Sequence, residues 1–468
     1  MFDLESQIRK WKTHLFSTGS IGYNDIEELE SHVRDSIDEL SEQGINTEEA
    51  FLLAVRRLGD VSVIHDEFSK LSTEDLWLQL LVPANTPRMQ RRNQVELLMV
   101  IALALLGGLL SKIPALFGFG DFEKYDMLYV KNAALFAFFP VAVYLFWKRS
   151  LPWAKSLVIF GIFPLCALWI NLYPSYEPYH TSILGIIHLP IALLFLLIYF
   201  YAGPINKANP DSGWRSPNNR LNFVRFAGEC FMYIILIGLG GIVLILLTMG
   251  TFNLIKIDAE KFITSYLVPF GFFGLFPVAA YLVEQKKNLI ESIAPTLAKI
   301  FTPLFLIVLL SLITAFMLTP NEAYENRLLL IWFDVILALV LALTLYSMSA
   351  KSFSTDHHFT SIAQNPSLLW DFFSLALVIC AVIVDMIALS GIVFRLSDTG
   401  FTANKTAALG ENIILLCNLM LLCVGYIRYF LNKQSFQKII EMQMHFLIVY
   451  PVWAMVVVLV FPPLFGFR

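Results

Sequence analysis

Charge is what this chain has least of. Asp, Glu, Lys and Arg together make up 15% of its 468 residues, against 57% hydrophobic ones. Soluble globular domains carry about a quarter charged residues, so a water-soluble fold is excluded for most of the length. Cysteine is scarce as well. Cys166, Cys230, Cys380, Cys417 and Cys423 all fall inside apolar stretches, and none forms a C-x-x-C pair. Their spacing gives no disulfide framework and no zinc site, and they read as small buried hydrophobes. Three catalytic signatures are missing too: the H-E-x-x-H of metalloproteases, the G-x-S-x-G nucleophile turn and the G-x-x-x-x-G-K-[ST] phosphate loop. Without the last, the chain cannot power itself with ATP through a phosphate loop. The expectation is no enzyme, no metal and no cofactor. The opening "MFDLESQIRKWKTHLF" has no apolar core of the kind a cleavable signal needs, and reads as an amphipathic helix that stays in the cytoplasm.

What is present is lipid-soluble. Forty Phe, 17 Tyr and 9 Trp suit contact with acyl chains and with the membrane interface. Eleven apolar runs follow one another at 95–113, 128–147, 154–173, 182–202, 226–249, 262–284, 299–318, 328–348, 371–394, 407–428 and 444–464. Each is long enough to cross a hydrocarbon core about 30 Å thick. Alternate connections carry Arg88, Arg91 and Arg92; Lys148, Arg149 and Lys155; Lys207, Arg215, Arg220 and Arg225; Lys286, Lys287 and Lys299; Lys351; and Arg428, Lys433 and Lys438. That is 17 basic residues on one side against 9 on the other. The richer side is expected to be cytoplasmic, which puts the N-terminus inside and Arg468 outside.

An internal echo accompanies the spans. "FPVAVYL" at 139–145 and "FPVAAYL" at 276–282 match at six of seven positions. Each ends an outside-to-inside span, and the span after each carries Pro-Leu (Pro164-Leu165 and Pro303-Leu304). An even number of spans separates the copies, so the halves would share one orientation, as in transporters built from parallel repeats. The alternative is coincidence in an apolar alphabet.

Ahead of the spans, residues 1–79 carry 17 acidic and 7 basic residues, while the remainder carries 20 and 26. The head is acidic and the body basic. An acidic head argues against binding to nucleic acid and against adsorption to anionic lipid, since both need positive charge. "NDIEELESHVRDSIDELSEQG" sets Ile26, Leu29, Val33, Ile37 and Leu40 three and four residues apart, which makes one apolar helical stripe. Gly44 suits the stop, and Asn46 with Glu49 three residues on opens the next helix, which ends at Gly59. Val61, Ile64, Phe68 and Leu71 give a further stripe. A basic, proline-containing hinge over 80–94 leads into the body at 95–468. So small a unit barely buries a core of its own, and contact with a partner or with the body is expected.

These head residues resemble a known module. An acidic helix, a short turn, "NTEEA" and then "AVRRLGD" are similar to the permease prefix domain of bacteria, over about residues 20–70. That small helical module precedes membrane permeases and is related to signalling domains found beside PadR-type regulators. Val61 stands where such modules commonly have proline. The outer connection "FRLSDTGFTANKTAALGEN" and the final "YPVWAMVVVLVFPPLFGF" resemble a bacterial multi-span family of unassigned function, most specifically over 395–418. Thr399 replaces that family's aromatic residue and Lys405 its arginine, which puts in doubt any role needing a planar guanidinium. The resemblance implies a fold and a bacterial inner membrane location, with no activity attached.

Ionisable groups inside the spans are the candidates for chemistry. Asp334, Asp385 and Glu411 sit in apolar runs, where a carboxylate costs about 2.5–3.5 kcal/mol on insertion scales and so faces a partner or water. Counting about 1.5 Å per residue, Asp334 lies about 10 Å below the outer surface, Glu411 about 8 Å and Asp385 about 15 Å. They converge on a proton or cation site, with Asn412 and Asn418 one helix face away, or they pair with Arg395, Arg327 or Lys405 as structural ion pairs. Glu229 lies close enough to the cytoplasmic edge to reach water. His188, just before Pro190, reads as a structural histidine. In the outer connection, Gly400 permits a tight turn, and Asn404 or Thr406 can cap the helix that follows.

The sequence thus describes an all-α polytopic membrane protein of about eleven transmembrane helices, with a parallel internal repeat as one reading, preceded by a small cytoplasmic helical bundle. The first functional expectation is a non-enzymatic, permease-like protein whose head docks or regulates a partner with a basic surface. Glu27, Glu28, Glu30, Asp35, Asp38, Glu39, Glu48 and Glu49 would form the docking face. The second is a proton- or cation-coupled secondary transporter using the intramembrane carboxylates. A third is an intramembrane enzyme. Bilayer lipid is a partner on every reading, and the oligomeric state is left open.

Overall fold

The computed structural model describes residues 4–5, 7–8, 23–42, 46–57, 87–119, 125–206, 212–254, 256, 258, 260–285, 293–318, 327–350 and 366–468. The chain divides into two compact units, Met1–Glu96 and Leu97–Arg468. Regular structure among the described residues is helical, without a strand.

In the first unit, α1 (Tyr23–Glu42) packs on α2 (Thr47–Arg57). The stripe read from spacing is the buried face: Val33, Ile37 and Leu40 meet Ala50, Phe51, Ala54 and Val55, and Ile8 joins them with 1% of its surface exposed. The start of α2 is capped as its sequence suggests, the Asn46 side-chain oxygen accepting from the Glu49 N–H at 2.8 Å. Arg34 holds Glu5 at 2.6 Å and Glu30 at 2.9 Å, and those two carboxylates push its guanidinium well above its ordinary pKa. Gly44, Gly59 and the stripe at 61–71 lie outside the described residues.

The second unit is a helical bundle fit for lipid. Among the described residues, ten helices are long and apolar enough to cross a membrane, where the sequence offers eleven runs. The first run is the difference. Its helix, α3 (Pro87–Leu110), takes in the second half of the basic hinge, but its apolar part is only Gln94–Leu110. Those 17 residues rise about 26 Å, short of the about 30 Å core, before Pro114 opens a separate turn. After it come α4 (Asp126–Lys148), then α5 (Trp153–Phe160) and α6 (Ile162–Leu172), which form one span around Gly161. Next are α7 (His180–Ala202), α8 (Pro217–Leu254) and α9 (Val268–Gln285). α10 (Ile293–Leu318), α11 (Arg327–Ala350), α12 (Pro366–Thr399) and α13 (Ala403–Phe430) continue the bundle, and α14 (Phe436–Phe446) with α15 (Val449–Leu459) closes it. A π-turn at Ile263–Leu267 precedes α9, and Lys112 donates to the carbonyl of Ser265 within it.

Outward faces carry large bare hydrophobes, among them Leu168, Leu236, Leu247 and Trp332. Such a surface is costly in water and natural against acyl chains. The bundle has two chemically distinct ends. At one, Lys131 donates to Ser175 at 2.9 Å, while the N–H groups of Tyr176 and Thr181 donate to the carbonyls of Phe467 and Arg468. At the other, Arg149 pairs with Glu284 at 2.7 Å, and Arg220 donates to Met444 O at 2.7 Å. The second end holds the connections rich in Lys and Arg.

The repeated heptapeptides lie in α4 and α9, which pack together. Phe136 and Phe273, equivalent by the 137-residue offset of the heptapeptides, meet edge to face with centroids 5.5 Å apart. Beyond that pair the surroundings diverge. α4 rests on α6 and α7, whereas α9 rests on α8, so among the described residues the echo is confined to one helix pair.

Candidate functional site

Helix α13 is central to the site because α7, α11, α12 and α15 all pack against it. That arrangement gathers side chains from five helices that lie far apart in sequence. Asp334 comes from α11, Asp385 from α12, and Glu411, Asn412 and Asn418 from α13. His188 is contributed by α7 and Tyr450 by α15.

The strongest contact is His188 Nε2 to Glu411 Oε1, at 2.6 Å. The other ring nitrogen, Nδ1, lies 2.8 Å from the Leu184 carbonyl, which only accepts, so Nδ1 carries the proton there. At 2.6 Å the contact between Nε2 and Oε1 also needs a proton, on either the ring or the carboxyl. The pair therefore holds one transferable proton on a fixed line. Histidine and a carboxylate are the groups most suited to passing it on. The ring is 3% exposed, so its hydrogen bonds substitute for water.

One residue along α13, the Asn412 amide donates to Asp334 Oδ1 at 3.0 Å and to Ala408 O at 2.8 Å. Asp334 is within electrostatic reach of Glu411, and Asp385 of Asp334. Asp385 is the most isolated of the three. It is 0% exposed, and among the described residues neither carboxyl oxygen has a hydrogen-bond partner. Tyr450 is within reach of its charge, and Asn418 donates to the Tyr450 hydroxyl oxygen at 2.8 Å.

Arg395 and Lys405 stand apart from this cluster. Lys405 donates to the backbone carbonyls of Arg395 and Gly400, both at 3.2 Å, and so ties down the turn at the end of α12. Gly400 adopts φ +75°, the left-handed region glycine tolerates. Neither Asn404 nor Thr406 caps α13: its N-cap is Thr402, Asn404 meets His180 at 3.0 Å, and Thr406 donates to Thr402 O at 2.9 Å. Among the described residues, no lysine or arginine bonds Asp334, Asp385 or Glu411, and the basic side chain that meets them is the imidazole of His188. The side chain of Arg327 lies outside the described residues.

Sequence reasoning missed a second charged cluster near the Lys/Arg-rich end. Glu284, its side chain 2% exposed, pairs with Arg149, whose guanidinium lies 4.8 Å from the Tyr201 ring centroid. Glu229 and Arg225 share the same surroundings. Glu229 is 6% exposed and does not reach out to water, because α11 and α7 cover that face of α8. In sequence these four charges look like loop and edge residues, and only packing brings them together. No group of three or more His, Cys, Asp or Glu among the described residues could hold a metal ion.

On the head, Asp35, Asp38, Glu39, Glu48 and Glu49 are exposed, and Glu30 is half-buried against Arg34. Glu27 and Glu28 lie within α1, with side chains outside the described ones. Comparison with protein-family models, with curated proteins and with solved structures gives no match, so the functional reading rests on this geometry.

Proposed function

We propose that the chain is a proton-coupled secondary transporter in which His188, Glu411, Asp334 and Asp385 form the proton-carrying site. The observation that carries this reading is the 2.6 Å contact of His188 with Glu411, beside two further carboxylates inside an apolar bundle. A carboxylate buried without a partner, as Asp385 is, destabilises a fold, and spans retain such groups where a proton or ion has to pass. A proton suits the site better than a metal cation, which needs several oxygen ligands converging at one point. Asp385, bare of donors, would be its inner member.

Reconstitution into liposomes with an entrapped pH dye tests this. Under an imposed membrane potential, the wild-type chain is expected to carry protons faster than protein-free liposomes. Asp385→Asn and Glu411→Gln should each cut the flux at least tenfold while the chain stays folded. Unchanged flux in both variants would overturn the reading.

A second reading, that the head docks a basic partner, is favoured by the exposed acids on α1 and α2. Charge steering of that kind is salt-sensitive. Capture of a partner by the full chain should fall when Asp35, Asp38, Glu39, Glu48 and Glu49 are all made neutral. A partner retained unchanged at all salt concentrations would count against it. In both readings the Lys/Arg-rich end faces the cytoplasm of a bacterial cell, and the head belongs to the permease-prefix type.

A further inference from the structure

A cavity, partly open to the outside, lies away from the carboxylates between α5, α6, α7 and α15. It measures about 630 Å³, and its walls are almost wholly apolar. It runs along the last helices from Leu447 to Val460, 14 residues, or about 20 Å of helix. One leaflet of hydrocarbon is about 15 Å deep, half of the about 30 Å core. The cavity thus has the reach of one acyl chain entering from the Lys/Arg-rich end.

At that end the lining changes character, with Trp214 and Arg220. Arg220 is 3% exposed, and its Nε donates to Trp214 O at 2.9 Å and its Nη1 to Met444 O at 2.7 Å. Both acceptors are neutral carbonyls. Among the described residues, no carboxylate balances the charge. The nearby charge is that of Arg215, of the same sign, and both guanidiniums lie about 6 Å or less from the Trp214 ring centroid. A buried, uncompensated guanidinium is costly, and an anion would offset that cost. Arginine is also the residue whose planar fork matches a phosphate.

We propose that this cavity is a binding site for one anionic phospholipid, its phosphate on Arg220 and one acyl chain lying along α15. Basic pockets between spans on the cytoplasmic side are built to take such head groups. Neither half of the site suffices alone. A neutral lipid leaves Arg220 unbalanced, and a small phosphate leaves the apolar channel unfilled.

The test titrates the purified, delipidated full chain with phosphatidylglycerol, phosphatidylcholine or glycerophosphate, and counts bound molecules by native mass spectrometry. Wild type is expected to retain one phosphatidylglycerol per chain, at least tenfold more tightly than phosphatidylcholine, with no displacement by glycerophosphate. Arg220→Gln should remove the preference for the anionic lipid. Ala192→Trp fills the channel while leaving Arg220 in place, and should weaken retention at least tenfold; it decides the matter if Arg220→Gln fails to fold. Equal retention of the two lipids overturns the proposal, as does undiminished retention by Ala192→Trp. Displacement by glycerophosphate does so as well, since it would mean a small-anion site.

Discussion

Asp385 is the side chain whose burial is hardest to justify on stability alone. Both oxygens are buried without a donor, and a buried acceptor left unmade costs about 1–3 kcal/mol. Asp385→Leu is therefore expected to raise the melting temperature of the purified chain while abolishing proton flux, the trade-off common at functional sites. A variant that melts lower and still carries protons would make the carboxylate structural. Asn412 is the opposite case. It satisfies Asp334, so Asn412→Ala should cost about 1–3 kcal/mol, read as a lower melting temperature. The carboxylates were legible in sequence because a charge in an apolar run is conspicuous. The His188–Glu411 pair was not, since 223 residues separate its members and only the packing of α7 on α13 joins them. Tyr450 escaped for the same reason: in sequence it is one more interfacial aromatic.

Helices meet here through small residues, and that gives tests of packing. A Cβ on Gly410 would run into the Trp453 ring, and one on Gly228 would lie 2.7 Å from Tyr346 Cδ2. Gly410→Ala should destabilise the bundle by about 1–3 kcal/mol by overpacking. Gly240 has nothing within 4 Å, and Gly240→Ala should leave the melting temperature unchanged or raise it slightly. If both variants melt alike, the α13–α15 contact is looser than described. In the head, Asn46→Ala removes the acceptor for the Glu49 N–H and should cost about 1 kcal/mol, seen as faster amide exchange in the first turn of α2. That cap was legible from Asn46 and Glu49 because capping is local chemistry. The failed cap at Asn404 shows the limit, since its side chain is diverted to His180, a residue on another helix.

For the molecule as a whole, the apolar runs announced a polytopic helical protein because a hydrocarbon solvent leaves the backbone few alternatives. Their count was less secure. The first run owed its apparent length to Ser111, Lys112 and Ile113, which lie past the end of α3, Ile113 opening a separate turn. The tie of Phe467 and Arg468 to Tyr176 and Thr181 puts the last residues at the same end as the 173–181 connection. Single cysteines at Tyr176 and Phe467 are accordingly expected to react with an impermeant reagent from one compartment, and a cysteine at Lys433 from the other. Labelling of all three from one side would break the threading.

Helix α8 has one more consequence. Its 38 residues rise about 57 Å, nearly twice the about 30 Å of hydrocarbon, and none of its most apolar stretch is buried by the rest of the chain. Its apolar run, 226–249, rises about 36 Å, still longer than that core, so it leans where the bilayer is thin and can stand straighter where it is thick. Acyl-chain length in the host membrane thus becomes a variable that this protein feels through a single helix.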